Sequence, residues 1–258
     1  MFLLEPQKTP WDLNFSVLGF PVRVHPLFWL FGLLVGGTGG GGKMMLLYLL
    51  VNFVSILIHE LGHALMIRRF GREAYVVLYL MGGLAIEGSP NPYATSWRPG
   101  ADRRTPWEQI YISAAGPAAQ FILAGLIAVF VKAMGGDINV QFAFYVIPIF
   151  DVVPSRRISQ ELEIMLEAAL WFNTWWAGVN LLPVYPLDGG QIAQQAFLMN
   201  DRHGGLVRSI QLSIITGIAM AIFSLRMESI YTMFLFGSLA FSNYMMYTQI
   251  HGRGGDRW

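Results

Sequence analysis

The sequence predicts an all-α polytopic membrane protein with about six transmembrane helices and a small membrane-associated β element around residues 75–90. Hydrophobic residues make up 54% of the 258 residues and charged residues only 13%, roughly half the charged share of an average soluble domain. Apolar runs of about the 20 residues that a helical span needs recur along the chain. The absence of cysteine excludes disulfides, thiolate nucleophiles and thiolate metal ligands.

The predicted spans are apolar segments separated by polar, glycine-rich or proline-containing stretches. The first is short, and the glycine-rich loop Gly36–Gly42 separates it from the second. The apolar segment Val140–Val153 contains Pro148, so we expect it to be interfacial or re-entrant rather than a span. We expect one domain, residues 1–258. The six predicted spans are Val24–Val35, Met44–Phe70, Trp107–Met134, Leu162–Leu182, Leu206–Leu225 and Ile230–Ile250.

One segment between the second and third spans differs from the rest. Tyr75–Glu87 is rich in β-branched and aromatic residues and has Gly82 and Gly83 in its middle. This composition favours a strand pair or a bent strand over a helix.

The distribution of Lys and Arg predicts the orientation. With six spans and a cytoplasmic N-terminus, twelve of the 17 basic residues fall on the cytoplasmic side and five on the other. This bias predicts that both termini are cytoplasmic, and we expect a prokaryotic cell (inner) membrane. The second span then ends in the cytoplasm.

That second span carries ionisable residues in the stretch ILIHELGHALMIRR (Ile56–Arg69). Such residues are costly inside a membrane and are functional candidates by default. His59 and His63 are four residues apart, on one helix face, where both can ligate one metal ion. Glu60 can then act on water without being a ligand, which is the pattern of zinc hydrolases. The alternative is a polar cluster that hydrogen-bonds neighbouring helices.

A catalytic zinc site needs a third protein ligand, and a carboxylate is expected. The best candidate is Asp188, in the stretch NLLPVYPLDGG. Two prolines end the fourth span there, and two glycines after Asp188 allow the backbone to bend. Capping of the following helix is the alternative role for Asp188. Glu87 and Glu167 are weaker candidates. The three other histidines have surface or interface interpretations: His25 lies at the start of the first predicted span, His203 in a polar loop and His251 in the tail.

In combination, these motifs resemble the site-2 protease family of intramembrane zinc metalloproteases. Further similar stretches are LGFPVRVHPLFWL at Leu18–Leu30, MGGLA at Met81–Ala85 and SAAGPAAQ at Ser113–Gln120. The resemblance extends from about residue 15 to residue 195. Gln120 departs from the pattern, since the family usually has Asn there. No PDZ-like or CBS domain is visible, so we expect a minimal catalytic core.

The resemblance implies a role for each matching residue. His59, His63 and Asp188 would hold zinc (Zn²⁺), and Glu60 would be the general base. Asn180 would contact the substrate or polarise the scissile carbonyl, unless it only hydrogen-bonds another helix. The strand residues expected to pair with substrate are Gly82, Gly83 and Leu84.

The predicted function is regulated intramembrane proteolysis of a membrane-protein substrate with a transmembrane segment. The lipid bilayer and a possible regulatory membrane partner are the other expected contacts, and no basic run indicates nucleic acid. An inactive membrane scaffold is one alternative, but it would be expected to lose Glu60 or a ligand. A metal-dependent transporter would show repeats and polar residues in several spans, which the sequence lacks.

Overall fold

The computed structural model describes residues 5–30, 41–80, 82–88, 104–143, 147–154, 158–202 and 204–252. The strands are β1 (Leu13–Val17), β2 (Phe20–Val24), β3 (Ala74–Tyr79), β4 (Gly82–Glu87), β5 (Asp137–Ala143) and β6 (Ile147–Val153). The helices are α1 (Gly41–Arg69), α2 (Pro106–Ala133), α3 (Gln160–Asn180), α4 (Asp188–Asn200), α5 (Gly205–Arg226) and α6 (Ile230–Gly252).

The described residues divide into two compact units. The first draws on Met1–Asp102 and Ala115–Gly178, and the second on Arg103–Ala114 and Val179–Trp258. The expectation of one domain stays a prediction.

Three described helices are long and apolar enough to cross a membrane, which agrees with a membrane protein. Helices α3 and α6 also coincide with the fourth and sixth predicted spans, but the total of six is not confirmed. Acidic residues in the first turn of α3 lower its apolar character. The three candidate spans are Gly42–Arg69, Pro106–Ala133 and Gly205–Arg226.

A four-stranded sheet in the order β1-β2-β3-β4 is larger than the sequence predicted. The strand pair expected in Tyr75–Glu87 is confirmed as the antiparallel strands β3 and β4. The placement of Val24 in the first span is wrong, because Val24 ends β2 and pairs with Leu78 in parallel register. Residues 27–30 are helical, and residues 31–35 of that predicted span lie outside the described residues. A β-branched apolar run before a helix carries no local signal that separates strand from span.

The N-terminal segment is attached to this sheet through Arg23. Its guanidinium donates to Asp12 Oδ2 at 2.8 Å and to Glu5 Oε1 at 2.7 Å, and Tyr75 donates its hydroxyl hydrogen to the same Glu5 carboxylate. Burial raises the pKa of the Asp12 carboxyl, but hydrogen bonds from Thr9 and Arg23 outweigh burial and hold that pKa below its ordinary value.

The segment predicted to be interfacial or re-entrant forms most of the antiparallel hairpin β5–β6. Pro148 lies within β6, opposite Phe142, so the proline does not prevent strand pairing. The hairpin packs on α2 and α3 through a buried apolar cluster. The buried members of this cluster are Ala124, Val131, Val152, Ile158, Leu166 and Leu170.

Candidate metal and catalytic site

Two imidazole rings meet on the inner face of α1. His59 and His63 are 4% and 8% exposed, and their Nε2 atoms lie 3.0 Å apart. The helical spacing of four residues brings the two rings together. Two nitrogens that share one zinc ion at 2.0–2.1 Å each would stand roughly 3.3 Å apart. The pair is therefore close to the separation that a shared metal ion needs.

The tautomer of His59 is set by Gln120. Gln120 is fully buried on α2, and its Oε1 lies 2.9 Å from His59 Nδ1. Because a carbonyl oxygen only accepts, Nδ1 carries the ring proton and Nε2 presents a lone pair. In the sequence alone, Gln120 stands out only as a departure from the family pattern. A glutamine in an otherwise apolar span was the available signal.

Glycines on α1 and α2 keep the space around the rings open. A Cβ at Gly116 would overlap His63 Nε2 and would lie 2.8 Å from His59 Nε2. A Cβ at Gly62 would lie 2.5 Å from Ala115 O, so the absence of side chains allows the two helices to approach closely. The space where both Nε2 atoms converge thus exists because residue 116 has no side chain.

Glu60 lies against the outer strand of the sheet. It is 5% exposed, and a Cβ at Gly83 would overlap its side chain. Among the described residues β4 pairs only with β3, so its other edge is open. Strand β3 lies between β2 and β4, so within the strand pair predicted in Tyr75–Glu87 only β4 offers a free edge among the described residues.

Asp188 is the first residue of α4 and is 7% exposed. The residue before it, Leu187, occupies the N-cap position without a side-chain cap, so the capping alternative for Asp188 is wrong. The chain folds back tightly here, because Cβ atoms at Gly189 and Gly190 would overlap the backbone of residues 181–185.

Two later helices hold the turn that precedes Asp188. Tyr185 N donates to Ser213 Oγ of α5 at 3.0 Å, and Asn243 Nδ2 of α6 donates to Tyr185 O at 2.5 Å. Gln191 Nε2 also donates to Pro186 O at 3.2 Å. The sequence reasoning treated α5 and α6 as plain spans and missed these contacts.

The described residues contain a group of three possible metal ligands, His59, His63 and Asp188. All three are buried, and each offers an atom that could hold a metal ion. The two carboxylates that were weaker candidates for the third ligand have other partners. Glu87 pairs with Arg72 at 3.3 Å, and Glu167 accepts a hydrogen bond from a backbone N–H of β6.

The remaining candidates are placed as follows. Asn180 is the last residue of α3 and is 9% exposed. His25 is 9% exposed and accepts a hydrogen bond from Leu27 N. His203 lies outside the described residues, as does the side chain of His251.

Comparisons with known proteins agree on one family. The model of Peptidase family M50 matches residues 47–224. Zinc metalloprotease MJ0392 of Methanocaldococcus jannaschii is 24% identical over 82% of this chain and 52% of its own length. The Rip3 protein of Mycobacterium tuberculosis is 29% identical over 75% of this chain and 44% of its own length. The chain therefore spans about half the length of the curated relatives it matches.

A solved structure shares the fold. The Site-2 Protease from Methanocaldococcus jannaschii matches with a TM-score of 0.51 and 20% sequence identity. The match covers 92% of this chain and 95% of the solved chain. At this identity the likeness shows the fold alone.

Proposed function

Because this chain belongs to peptidase family M50, we propose that it is an intramembrane zinc metalloprotease that cleaves peptide bonds in or near transmembrane segments. The observation that carries the proposal is the buried His-Glu-x-x-His sequence on an apolar helix, with the Nε2 atoms of its two histidines brought together. The substrate class is a membrane protein with a transmembrane segment. A regulatory membrane partner and a role in regulated intramembrane proteolysis remain part of this proposal.

The residues present fit a zinc ion. Two imidazoles and one carboxylate are a donor set of catalytic zinc sites. The lone pair of His59 Nε2 and the space beside Gly116 support the same assignment. His59, His63 and Asp188 would hold the ion. When bound, zinc would supply Lewis acidity that polarises the scissile carbonyl and lowers the pKa of water.

Glu60 acts as the general base in this proposal. Its carboxylate accepts a proton from the attacking water and returns that proton to the leaving amine. Asn180 donates a hydrogen bond to the scissile carbonyl oxygen, where negative charge develops in the transition state.

The open edge of β4 is the proposed substrate site. An extended segment adds to a free strand edge through main-chain hydrogen bonds. Gly82, Gly83 and Leu84 would make these bonds, and the packing of Gly83 against Glu60 supports this arrangement because it puts the strand beside the proposed base. A helical substrate must unwind locally before it pairs in this way.

We also propose six spans with both termini in the cytoplasm of a prokaryotic cell (inner) membrane. The bias in Lys and Arg supports this topology, as do the positions of α3 and α6. Reporter fusions at Gly40 and at the C-terminus should report opposite sides. Reports from the same side would contradict six spans.

The experiment that tests the function uses the purified chain in detergent with a single-span model substrate. Cleavage should stop with a chelator and return with zinc. Glu60→Gln should retain zinc and lose roughly 10²–10⁴-fold in turnover, as is typical for loss of acid–base catalysis. Asp188→Ala should lose zinc.

Two outcomes would contradict the assignment. Unchanged cleavage by Glu60→Gln would remove Glu60 as the proposed base, whereas no zinc-dependent cleavage by the wild-type chain would favour the inactive-scaffold alternative. Full zinc content with normal cleavage in Asp188→Ala would remove Asp188 from the metal site.

A further inference from the structure

A cavity lies in the first unit, apart from the histidine pair. It has a volume of about 350 Å³ and opens between α1, α3 and strand β6. Its walls combine aromatic rings with two polar side chains. The polar residues are Asn52 and Glu167, and the aromatic residues are Tyr48, Phe150, Trp171 and Phe172. The proposed proteolysis uses none of these residues.

The aromatic rings and Glu167 together suit an organic cation. Ring faces attract ammonium groups through their quadrupoles, and the attraction grows when the cation is desolvated. Glu167 adds a negative charge at the same cavity. Its Oε1 accepts from Val152 N at 2.8 Å, and none of the ion pairs among the described residues involves Glu167.

Asn52 supplies an independent sign of a ligand. The side chain is 4% exposed, and its Nδ2 has no hydrogen-bond partner among the described residues. A buried donor without an acceptor is destabilising. Nδ2 itself is buried, but Asn52 lines the cavity, so a turn of its side chain would let it donate to an oxygen atom of a bound molecule. The ligand should therefore carry both a cation and an acceptor oxygen.

The depth of the cavity identifies the class of ligand. An exposed ion pair between Lys43 and Glu161, at 2.8 Å, joins α1 and α3 near their first residues, and under the proposed topology this pair faces water. Glu167 lies six residues beyond Glu161, and Asn52 nine beyond Lys43. At 1.5 Å per residue these groups lie about 9 and 13.5 Å along their helices from that pair, which, for a pair in water outside the bilayer, puts them near the boundary between headgroups and acyl chains.

The order of the two groups also matches a lipid. In a zwitterionic phospholipid the ammonium group lies outermost, and the phosphate and ester oxygens lie deeper. We propose that this cavity binds the headgroup of a zwitterionic phospholipid. The ammonium group contacts Glu167 and the aromatic rings, and a phosphate or ester oxygen accepts from Asn52 Nδ2. The bound lipid bridges α1, α3 and β6.

The test uses the purified full chain in detergent and short-chain lipids with identical acyl groups. Dihexanoyl phosphatidylethanolamine should raise the thermal unfolding midpoint in a saturable manner, and dihexanoyl phosphatidylglycerol should do so at least tenfold more weakly. Free phosphoethanolamine distinguishes a soluble cation from a lipid, and it should bind more weakly than the lipid.

The variants separate charge from packing. Glu167→Gln keeps an acceptor for Val152 N and removes the charge, so it should weaken binding of phosphatidylethanolamine at least tenfold. Glu163→Gln, on the same helix but outside the cavity, should bind like wild type. If Glu167→Gln does not fold, Trp171→Leu replaces it and should weaken binding severalfold.

Four outcomes would overturn the proposal: no saturable binding, equal binding of both lipids, tighter binding of free phosphoethanolamine than of the lipid, or wild-type affinity in Glu167→Gln.

Discussion

Replacement of Gln120 by Leu should weaken zinc binding while the fold survives. Gln120→Leu keeps similar volume but removes the acceptor that lies 2.9 Å from His59 Nδ1. Residue 120 is fully buried, so bulk water does not replace the lost acceptor. The Nδ1 proton is then unsatisfied, and the tautomer with the proton on Nε2 becomes competitive. That tautomer has no lone pair to give to the metal.

The magnitude follows from the role of such partners. Loss of a group that orients a metal-bound histidine typically costs 10–100-fold in metal affinity, or about 1.4–2.7 kcal/mol. Because residue 120 is fully buried, we expect a loss near the upper end of this range. The assay is competition for zinc with a fluorescent chelator, on purified protein in detergent.

Gln120→Glu is the matched control, since its carboxylate retains an acceptor at the same reach and should keep or raise zinc affinity. Gln120→Asn is shorter by one methylene and should lie between the two. Wild-type zinc affinity in Gln120→Leu would refute the reasoning, because the hydrogen bond would then not position His59.

The remaining predictions concern the open space beside Gly116, the edge strand β4 and the N-terminal segment. Gly116→Ala should abolish zinc binding, measured as metal per chain. A Cβ at Gly125, on the same helix, meets no atom within 4 Å, so Gly125→Ala should bind zinc normally. Full zinc content in Gly116→Ala would contradict the role of the open space beside Gly116. In an edge strand, successive N–H groups point alternately inward and outward. Of Leu84 and Ala85, one has a backbone N–H that points outward, and proline at that position should therefore slow cleavage without changing the zinc content. Equal cleavage rates in the two proline variants would place the substrate elsewhere. The lowered pKa of the Asp12 carboxyl stabilises the fold above the ordinary pKa, and this contribution is lost as the pH falls through the lowered value. Asp12→Asn should cost about 1.5–3 kcal/mol at neutral pH and flatten the dependence of unfolding free energy on acidic pH, and an unchanged dependence would contradict the pairing.

Local patterns predicted most of the helices with good boundaries. The predicted span Trp107–Met134 corresponds to α2, Pro106–Ala133, and the predicted span Leu206–Leu225 corresponds to α5, Gly205–Arg226. Both have apolar composition over more than four turns, which one stretch of sequence carries by itself. The strand pair in Tyr75–Glu87 was equally visible from its β-branched content.

Long-range pairing was not visible in the same way. Strand β2 joins β3 across more than 50 residues, and no local period records which distant strand is the partner. The hairpin β5–β6 was not predicted for a different reason. Its apolar strands have the composition of a membrane-inserted segment, so composition alone did not identify them as strands. Strand order, and therefore the identity of β4 as the edge, is likewise a property of the assembled sheet.

The sequence by itself determined the chemistry-bearing residues, because His59, Glu60 and His63 are neighbours on one helix and their spacing alone sets their common face. Only the tertiary structure decided what surrounds them. Gln120 reaches His59 across 61 residues, and Asn243 reaches the turn before Asp188 across 58. Such contacts depend on how helices pack, and helix packing is set by side chains on several distant segments at once.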